Sequence, residues 1–519
     1  MMRPFAAFAL FLLLVGCASL PDELPRGAPG HALAPRAAGP LAEIETGLRA
    51  RMGPEDSGFR LLNSNVEGLR WRLALIDSAQ YSLDLQYYVW WGDESGALLM
   101  KRIIMAADRG VRVRIIVDDL TTILKDAEEP KLRDAATAVI SSHPNIEIRL
   151  FNPWRARGLA GRIFETMAQL ERANQRMHNK LMIADNRATI IGGRNIGNEY
   201  FGLHPAFNFR DLDTIGIGPV ARQASQVFDR FWNSELVLPA GQLGVEITPE
   251  ELQKGYAAIN HRLAEAPMLS EFAIEPQDWR DLLDALAAGM AAGTSRVVTD
   301  TVDGNGVKHL MPAAIRELLE SAEKEVLITN AYIIPNGKIV KWIGEEVAGG
   351  VRYRILTNSL ASHDVPAVNA HYRIWRDDLL KAGVELYETR PDAAARRRLA
   401  DSPPVESRFM GLHVKAMIID RRRVFIGSMN LDPRSWAINS EMGVVVESPA
   451  LAKDLAAVMD EDVLPENAWR LELGEERGYG EESEVLWVAD DGTLRHQPAR
   501  SGWQRFQDFL FAFFPRSLY

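Results

Sequence analysis

One pattern stands twice in this chain at a fixed separation, and any fold must place both copies equivalently. His178-Asn179-Lys180 is followed by Asp185, Gly192 and Asn195, and His413-Val414-Lys415 by Asp420, Gly427 and Asn430, each 235 positions after its counterpart. Fixing five residues at set distances has a chance on the order of one in three million per starting position, so two copies exclude coincidence. The surroundings repeat as well. Ser82 to Trp90 alternates like a strand and leads through a helical stretch to a second strand, Gly110 to Val117. Glu325 to Tyr332 and Gly350 to Leu356 restate that unit 240 residues later. Strands alternating with helices predict α/β architecture in each half.

The spacing has a physical reading. Residues two apart share one face of an extended strand, so His178 and Lys180 project together, as do His413 and Lys415. A nucleophile and a cation then point at one phosphate. Asn195 and Asn430 each follow a short apolar strand and a glycine, where the backbone can approach a ligand and an amide can donate to a phosphoryl oxygen. Asp185 and Asp420 fall where a strand gives way to a turn, and a structural role is expected of both.

At 519 residues the chain exceeds one ordinary hydrophobic core, and 47% hydrophobic against 25% charged residues is a globular composition. The net charge of -11 removes the bulk attraction that a nucleic-acid binder uses, so no nucleic-acid partner is expected. A basic pocket for a single phosphodiester remains compatible with that charge. No protein partner is predicted. Asp118-Asp119 lacks any accompanying His or Cys cluster at ligand spacing, so a strand-end role is expected rather than a metal site. His143 and His371 read as surface or core histidines, and Gly304-Asn305-Gly306 as a turn.

The single cysteine, Cys17, ends Leu14-Val15-Gly16-Cys17, which resembles a lipobox after a short apolar run from Phe5 to Val15. That run is far shorter than the roughly 20 residues that span a bilayer. The expectation is a lipoprotein signal peptide over 1–17, an acylated Cys17 and a Pro/Ala/Gly-rich tether over 18–45. The rest divides into a first domain over 46–235, a connecting segment packed as outer helices over 236–300, a second domain over 301–470 and a tail over 471–519.

The two motifs are the H-x-K-x4-D-x6-G-x2-N signature, and from residue 46 to 470 the chain resembles the phospholipase D superfamily. Flanking residues narrow the resemblance to the bacterial cardiolipin synthases. They are Leu85-Gln86-Tyr87-Tyr88-Val89-Trp90, Arg176-Met177-His178, Gly192-Gly193-Arg194-Asn195-Ile196-Gly197 and Asp432-Pro433-Arg434-Ser435 leading to Asn439-Ser440-Glu441-Met442-Gly443. The resemblance implies two mixed sheets flanked by helices, packed as a pseudo-dimer around one active site. It implies His178 as nucleophile, His413 as acid and base, and Lys180, Lys415, Asn195 and Asn430 stabilising charge on the phosphoryl oxygens. Asp211 and Glu441 are the carboxylates implied to accept a hydrogen bond from the far ring nitrogens. No metal or cofactor is implied.

The implied partners are membrane phospholipids: phosphatidylglycerol and phosphatidylethanolamine as substrates, and cardiolipin as product. Water in place of the acceptor alcohol gives hydrolysis, and the motif alone does not separate the two outcomes. A family nuclease or a non-catalytic lipid-binding lipoprotein are the rival classes. The acidic charge and the lipobox disfavour the first, and two intact motifs the second. Ala18 after the cysteine leads to an expected periplasm-facing anchor in the outer membrane. In the last residues, Trp503, Phe506 and Leu510 share a helical face. The plain expectation is that this face covers the second domain's core; the sharper one is that Phe511, Phe513 and Phe514 enter a bilayer.

Overall fold

The structure, a computed structural model, describes residues 26–119, 140–155, 162, 165, 169–243, 248–304, 306–474 and 484–515. Cys17 and the expected signal peptide lie outside them. The first half contributes strands β1 (Ser57–Leu62), β2 (Ser82–Tyr87), β3 (Arg112–Asp118), β4 (Ile146–Phe151), β5 (Leu181–Ala184), β6 (Ala188–Gly192), β7 (Phe207–Arg210), β8 (Asp213–Ile217) and β9 (Val237–Pro239). In space they run β9-β4-β3-β2-β5-β6-β8-β1, with β2, β3 and β4 parallel and the other pairs antiparallel.

The second half restates this order. Its strands are β10 (Ala291–Thr299), β11 (Thr301–Asp303), β12 (Gly306–Lys308), β13 (Glu325–Asn330), β14 (Arg352–Asn358), β15 (Glu385–Thr389), β16 (Phe409–Leu412), β17 (Lys415–Ile419), β18 (Arg423–Gly427), β19 (Met442–Glu447) and β20 (Ala468–Leu473). The run β20-β15-β14-β13-β17-β18-β19-β10 matches the first half strand for strand. β1 and β10 pair antiparallel, Gly58 opposite Ala292, and join both runs into one mixed sheet about a pseudo-twofold axis.

Each half-sheet is flanked by helices. Asn65–Ser78 and Glu94–Asp108 cover one side of the first half, with Leu69, Leu73, Leu98 and Ile103 essentially inaccessible. Between the halves, Phe228 and Phe231 on helix Pro219–Trp232 and Leu451 and Leu455 on helix Pro449–Asp462 share a core with Ile183, Ile191, Ile418 and Val446. Burial of this kind is worth roughly 1.5–3 kcal/mol per large side chain, which binds the halves face to face. β2 is buried along its whole length even though it alternates. Its Asp84 is held at 2.7 and 2.9 Å by Arg114 on β3, which also reaches Asp229 on the covering helix at 2.8 Å.

Four sequence expectations are corrected. Residues 26–39, read as part of a free tether, lie along the first half: the Gly30 amide donates to Asn233 and the Ala32 amide to Asp229, both at 2.9 Å. Helix Pro40–Arg49 follows and buries Leu41, Ile44 and Leu48, so any free tether ends before Arg26. The segment 236–300 is not helices alone, because β9 closes the first half-sheet and β10 is its joint with the second. Ala291-Ala292-Gly293-Thr294-Ser295 conceals that strand behind small residues, which close packing against β19 requires: a Cβ at Gly293 would stand 2.8 Å from the Glu447 carbonyl.

The C-terminal helix Gly502–Phe511 is docked by its polar side. Gln504 and Asp508 are buried, while Trp503, Phe506 and Phe509 are 65%, 50% and 58% exposed, so the aromatic face does not cover the core. Preceding it, Val485–Ala489 and Gly492–Leu494 extend the sheet beyond β20, so the segment expected as a tail is partly strand. Among the described residues no helix is long and apolar enough to cross a membrane.

Candidate active site

The site forms where each half lends backbone to the other. Met177 bridges Ser440 in parallel, with the His178 amide donating to the Ser440 carbonyl at 2.9 Å. The counterpart is β16 on β7, with the His413 amide donating to the Arg210 carbonyl at 2.8 Å. Ser440 and Arg210 directly precede the two expected carboxylates. Each histidine is thereby set beside the carboxylate of the opposite half.

His178 Nδ1 lies 2.9 Å from both Glu441 oxygens, and His413 Nδ1 lies 2.6 Å from Asp211 Oδ2. Asp211 is held ionised and only accepts, and Glu441 in its ionised form accepts as well, so Nδ1 carries the hydrogen and Nε2 is left for chemistry. The edge of Tyr88 meets the His178 ring, while Tyr200 and Phe209 pack on His413. The side chains of His178 and His413 keep 9% and 6% exposure. Lys180 and Lys415 each donate at 2.6 Å to the carbonyl of the histidine two residues earlier, leaving two further N–H donors apiece. Charge reaches across the halves: Lys415 acts on His178, and Lys180 on His413.

The Asn195 side-chain oxygen Oδ1 accepts the Val89 amide at 3.2 Å. Asn430 is buried, and its Oδ1 has no hydrogen-bond partner among the described residues. Asp185 and Asp420 sit at the other ends of the strands that follow the histidines, about 20 Å away at strand rise. Both adopt φ 52°, and each receives three successive amides, from Gln80, Tyr81 and Ser82 or from Glu323, Lys324 and Glu325. They pin the starts of β2 and β13.

The halves differ in charge. Arg194 donates to the Asp211 carbonyl at 2.6 Å and pairs with Asp213, which also holds Arg72. Burial pushes the Asp211 carboxyl up, but His413, Lys415 and Arg194 outweigh it and hold the group below its usual range. Around Glu441 the neighbours are acids: Asp300 accepts the Glu441 amide at 2.8 Å, and Asp432 caps the helix Pro433–Ala437. Burial pushes Glu441 up to about 7 against the pull of Lys180, Lys415 and the two serine hydroxyls, and burial with the Glu441 charge nearby pushes Asp432 up to about 7 and Asp300 to about 6. Burial drives His178 well below its ordinary value and His413 below it too, each helped by the lysines. Lys180 falls to about 7 and Lys415 to about 8.

Gly193 and Ser428 are the matching positions that permit this difference. A Cβ at Gly193 would stand 2.2 Å from Asp211 Oδ1, whereas the Ser428 hydroxyl donates to Glu441 together with Ser435. Sequence reasoning passed over this serine pair, Asp300, Arg194 and the aromatic rings around the histidines. The one available signal was the departure of Gly192-Gly193-Arg194-Asn195 from Gly427-Ser428-Met429-Asn430. Asp118 takes the strand-end role: it accepts the Met177 amide at 2.8 Å and so steadies the residue before His178. Among the described residues no cluster of ligands could hold a metal.

A family model described as "Cardiolipin synthase, PLD-like domain" matches residues 73–232 and 315–463. Cardiolipin synthase C of Escherichia coli (strain K12) is 35% identical over 469 residues, 87% of this chain and 94% of that protein. Cardiolipin synthase B of the same organism is 24% identical over 440 residues, 82% of this chain and 85% of that one. Among solved structures, phosphatidylserine synthase of Haemophilus influenzae Rd KW20 shares the fold, with a TM-score of 0.55 and 14% identity over 82% of this chain and 92% of its own. Fold and site together are those of a phospholipase D-type phosphatidyltransferase. Within that class the chain belongs to the cardiolipin synthase family, whose PLD-like domain it carries twice.

Proposed function

We propose that this enzyme makes cardiolipin, joining the phosphatidyl group of phosphatidylethanolamine or phosphatidylglycerol to a hydroxyl of a second phosphatidylglycerol. The observation that carries this reading is the pair of histidines, each with Nδ1 committed to a carboxylate of the opposite half, Nε2 without a hydrogen-bond partner among the described residues, and both rings under the charge of two lysines. His178 Nε2 attacks phosphorus, the bond to the headgroup oxygen breaks, and His413 gives that oxygen a proton. His413 then takes a proton from the incoming hydroxyl, whose oxygen displaces His178 from phosphorus. Lys180, Lys415, Asn195 and Asn430 stabilise charge on the phosphoryl oxygens.

The charge difference between the halves supports this order. Asp211 stays ionised beside His413 and supports its imidazolium form against the burial and lysine charges that lower it, which suits the residue that gives up a proton. Burial raises Glu441 to about 7, and burial with the Lys180 and Lys415 charges holds His178 far below its ordinary value, which favours a neutral, nucleophilic imidazole. The outward aromatic face of helix Gly502–Phe511 suits an enzyme whose substrate phosphate lies at a membrane surface. An acylated Cys17 holding a periplasm-facing enzyme, in the outer membrane by its Ala18, completes the reading.

Incubating the purified protein with phosphatidylglycerol vesicles, with and without phosphatidylethanolamine, and separating the lipids tests the assignment. Cardiolipin is the expected product. Phosphatidic acid alone would make the enzyme a hydrolase, and unchanged lipids would overturn the reading.

A further inference from the structure

One polar cluster beside His413 has no part in the steps above. Tyr332, two residues beyond β13, directs its hydroxyl at Asp364, 2.8 and 2.7 Å from the two carboxylate oxygens. His363 stacks on the Tyr332 ring, with centroids 5.1 Å apart and planes within 12°. Its Nδ1 accepts the Val365 amide at 3.1 Å and stands 3.5 Å from Asp364. The other face of the cluster meets the site: Lys415 Nζ lies 5.7 Å from the centre of the Tyr332 ring, and the Asp364 charge is felt at both Lys415 and His413.

Asp364 differs from the other acids here in being open. Its side chain is 23% exposed, whereas those of Asp211 and Glu441 are sealed. An ionised carboxylate offers about four acceptor positions, and one tyrosine hydroxyl does not exhaust them. The arrangement is one-sided. Tyr88 stands over Lys180 as Tyr332 stands over Lys415, with Nζ 5.3 Å from its ring centre, but among the described residues its hydroxyl has no carboxylate partner.

We propose that Asp364, held by Tyr332 beside His413, is the subsite that recognises the headgroup alcohol, accepting a hydrogen bond from a donor on the carbon next to the one bearing the reacting oxygen. The 2-hydroxyl of a glycerol headgroup and the ammonium of ethanolamine both meet that description. The inference rests on the reading of His413 as the acid and base, because that assignment brings the departing and arriving oxygens to this side. A lone hydroxyl without a neighbouring donor reacts at the same phosphorus but leaves Asp364 unengaged.

The test is a competition, read as a product ratio so that differences in total activity cancel. Full-length enzyme is given phosphatidylglycerol vesicles and an equimolar mixture of 1,2-propanediol and 1-propanol, and the two phosphatidyl alcohols are quantified by mass spectrometry. The wild type should favour the diol by roughly tenfold, the usual worth of one charge-assisted hydrogen bond. Asp364→Ala should bring the ratio close to one, and 1,3-propanediol should compete no better than 1-propanol. Replacing the diol by ethanolamine reads the ammonium source separately, and the same variant should lose that preference too. A ratio unchanged by Asp364→Ala sinks the subsite while leaving the phosphatidyltransferase reading intact. Should that variant not fold, Tyr332→Phe serves instead: it leaves the carboxylate without its positioning donor, and an unchanged ratio there has the same force. Intact phosphatidylglycerol with every alcohol would remove the reading itself and this inference with it.

Discussion

Each histidine answers to a carboxylate 263 or 202 positions away, so the two motifs were legible in the sequence and their partners' pairing was not. Spacing fixes what shares a strand face, whereas only the packing of the halves decides which acid meets which ring. His178→Ala and His413→Ala should each lower turnover by at least about 10³-fold, with the double variant no worse, since the groups act as one unit. Single-turnover kinetics on phosphatidylglycerol checks this, and additive losses would contradict the shared mechanism. Asp185→Asn belongs to another category: it weakens three amide contacts at the start of β2, so it should cost about 1–3 kcal/mol in denaturant unfolding while the folded fraction keeps its turnover. The lysines set a pH dependence. With Lys180 at about 7 and Lys415 at about 8, the empty site sheds protons as pH rises through that range, and a bound anion restores them. Affinity for inorganic phosphate should therefore fall above pH 7, approaching about tenfold per unit for each lysine that must regain its proton. Calorimetric titration between about pH 6 and 9 measures this, and a flat profile would count against both shifts.

At the scale of elements, alternation located β2 and β13 and the glycine-led strands β3 and β14, because buried strands keep their apolar periodicity. It missed β10, whose small residues satisfy close strand packing instead of filling a core. The C-terminal helix was legible as a helix but not as to which side docks. Amphipathic spacing leads one to bury Trp503, Phe506 and Leu510, yet Gln504 donates to the Leu360 carbonyl at 2.5 Å and Asp508 accepts from Asn369 at 2.6 Å. These polar anchors fix the aromatic face outward, beside the loop that carries His363. Replacing Phe506, Phe509 and Phe513 by Ser should leave the melting temperature within a few degrees, because these rings are 50%, 58% and 73% exposed. Activity on vesicles should drop by about tenfold or more, while turnover of short-chain, water-soluble phosphatidylglycerol stays near that of the parent. Equal losses on both substrates would assign the rings a structural duty.

For the whole molecule, the duplication was the most legible feature, since two copies of one pattern leave little choice but two equivalent halves. Composition pointed to a tether for the first described residues, where a low-periodicity run from Arg26 is tied down by a reciprocal pair of hydrogen bonds between Gly30 and Asn233, by the Ala32 amide on Asp229 and by Arg149 on the Ala28 carbonyl. Cys17→Ser should move the protein from the membrane fraction toward the soluble one, followed by fractionation and by mass spectrometry of the mature N-terminus; an unmodified Cys17 in the parent would end the anchoring proposal. The crossed pairing of the halves also has a genetic consequence. An allele truncated after the first domain encodes His178 without Glu441 and Asp211 without His413, so it carries two incomplete pairs rather than one working centre. Neither copy can therefore drift as a spare after the duplication: a substitution in one is screened at once through the histidine of the other, and selection acts on the gene as a single locus with two interlocked alphabets.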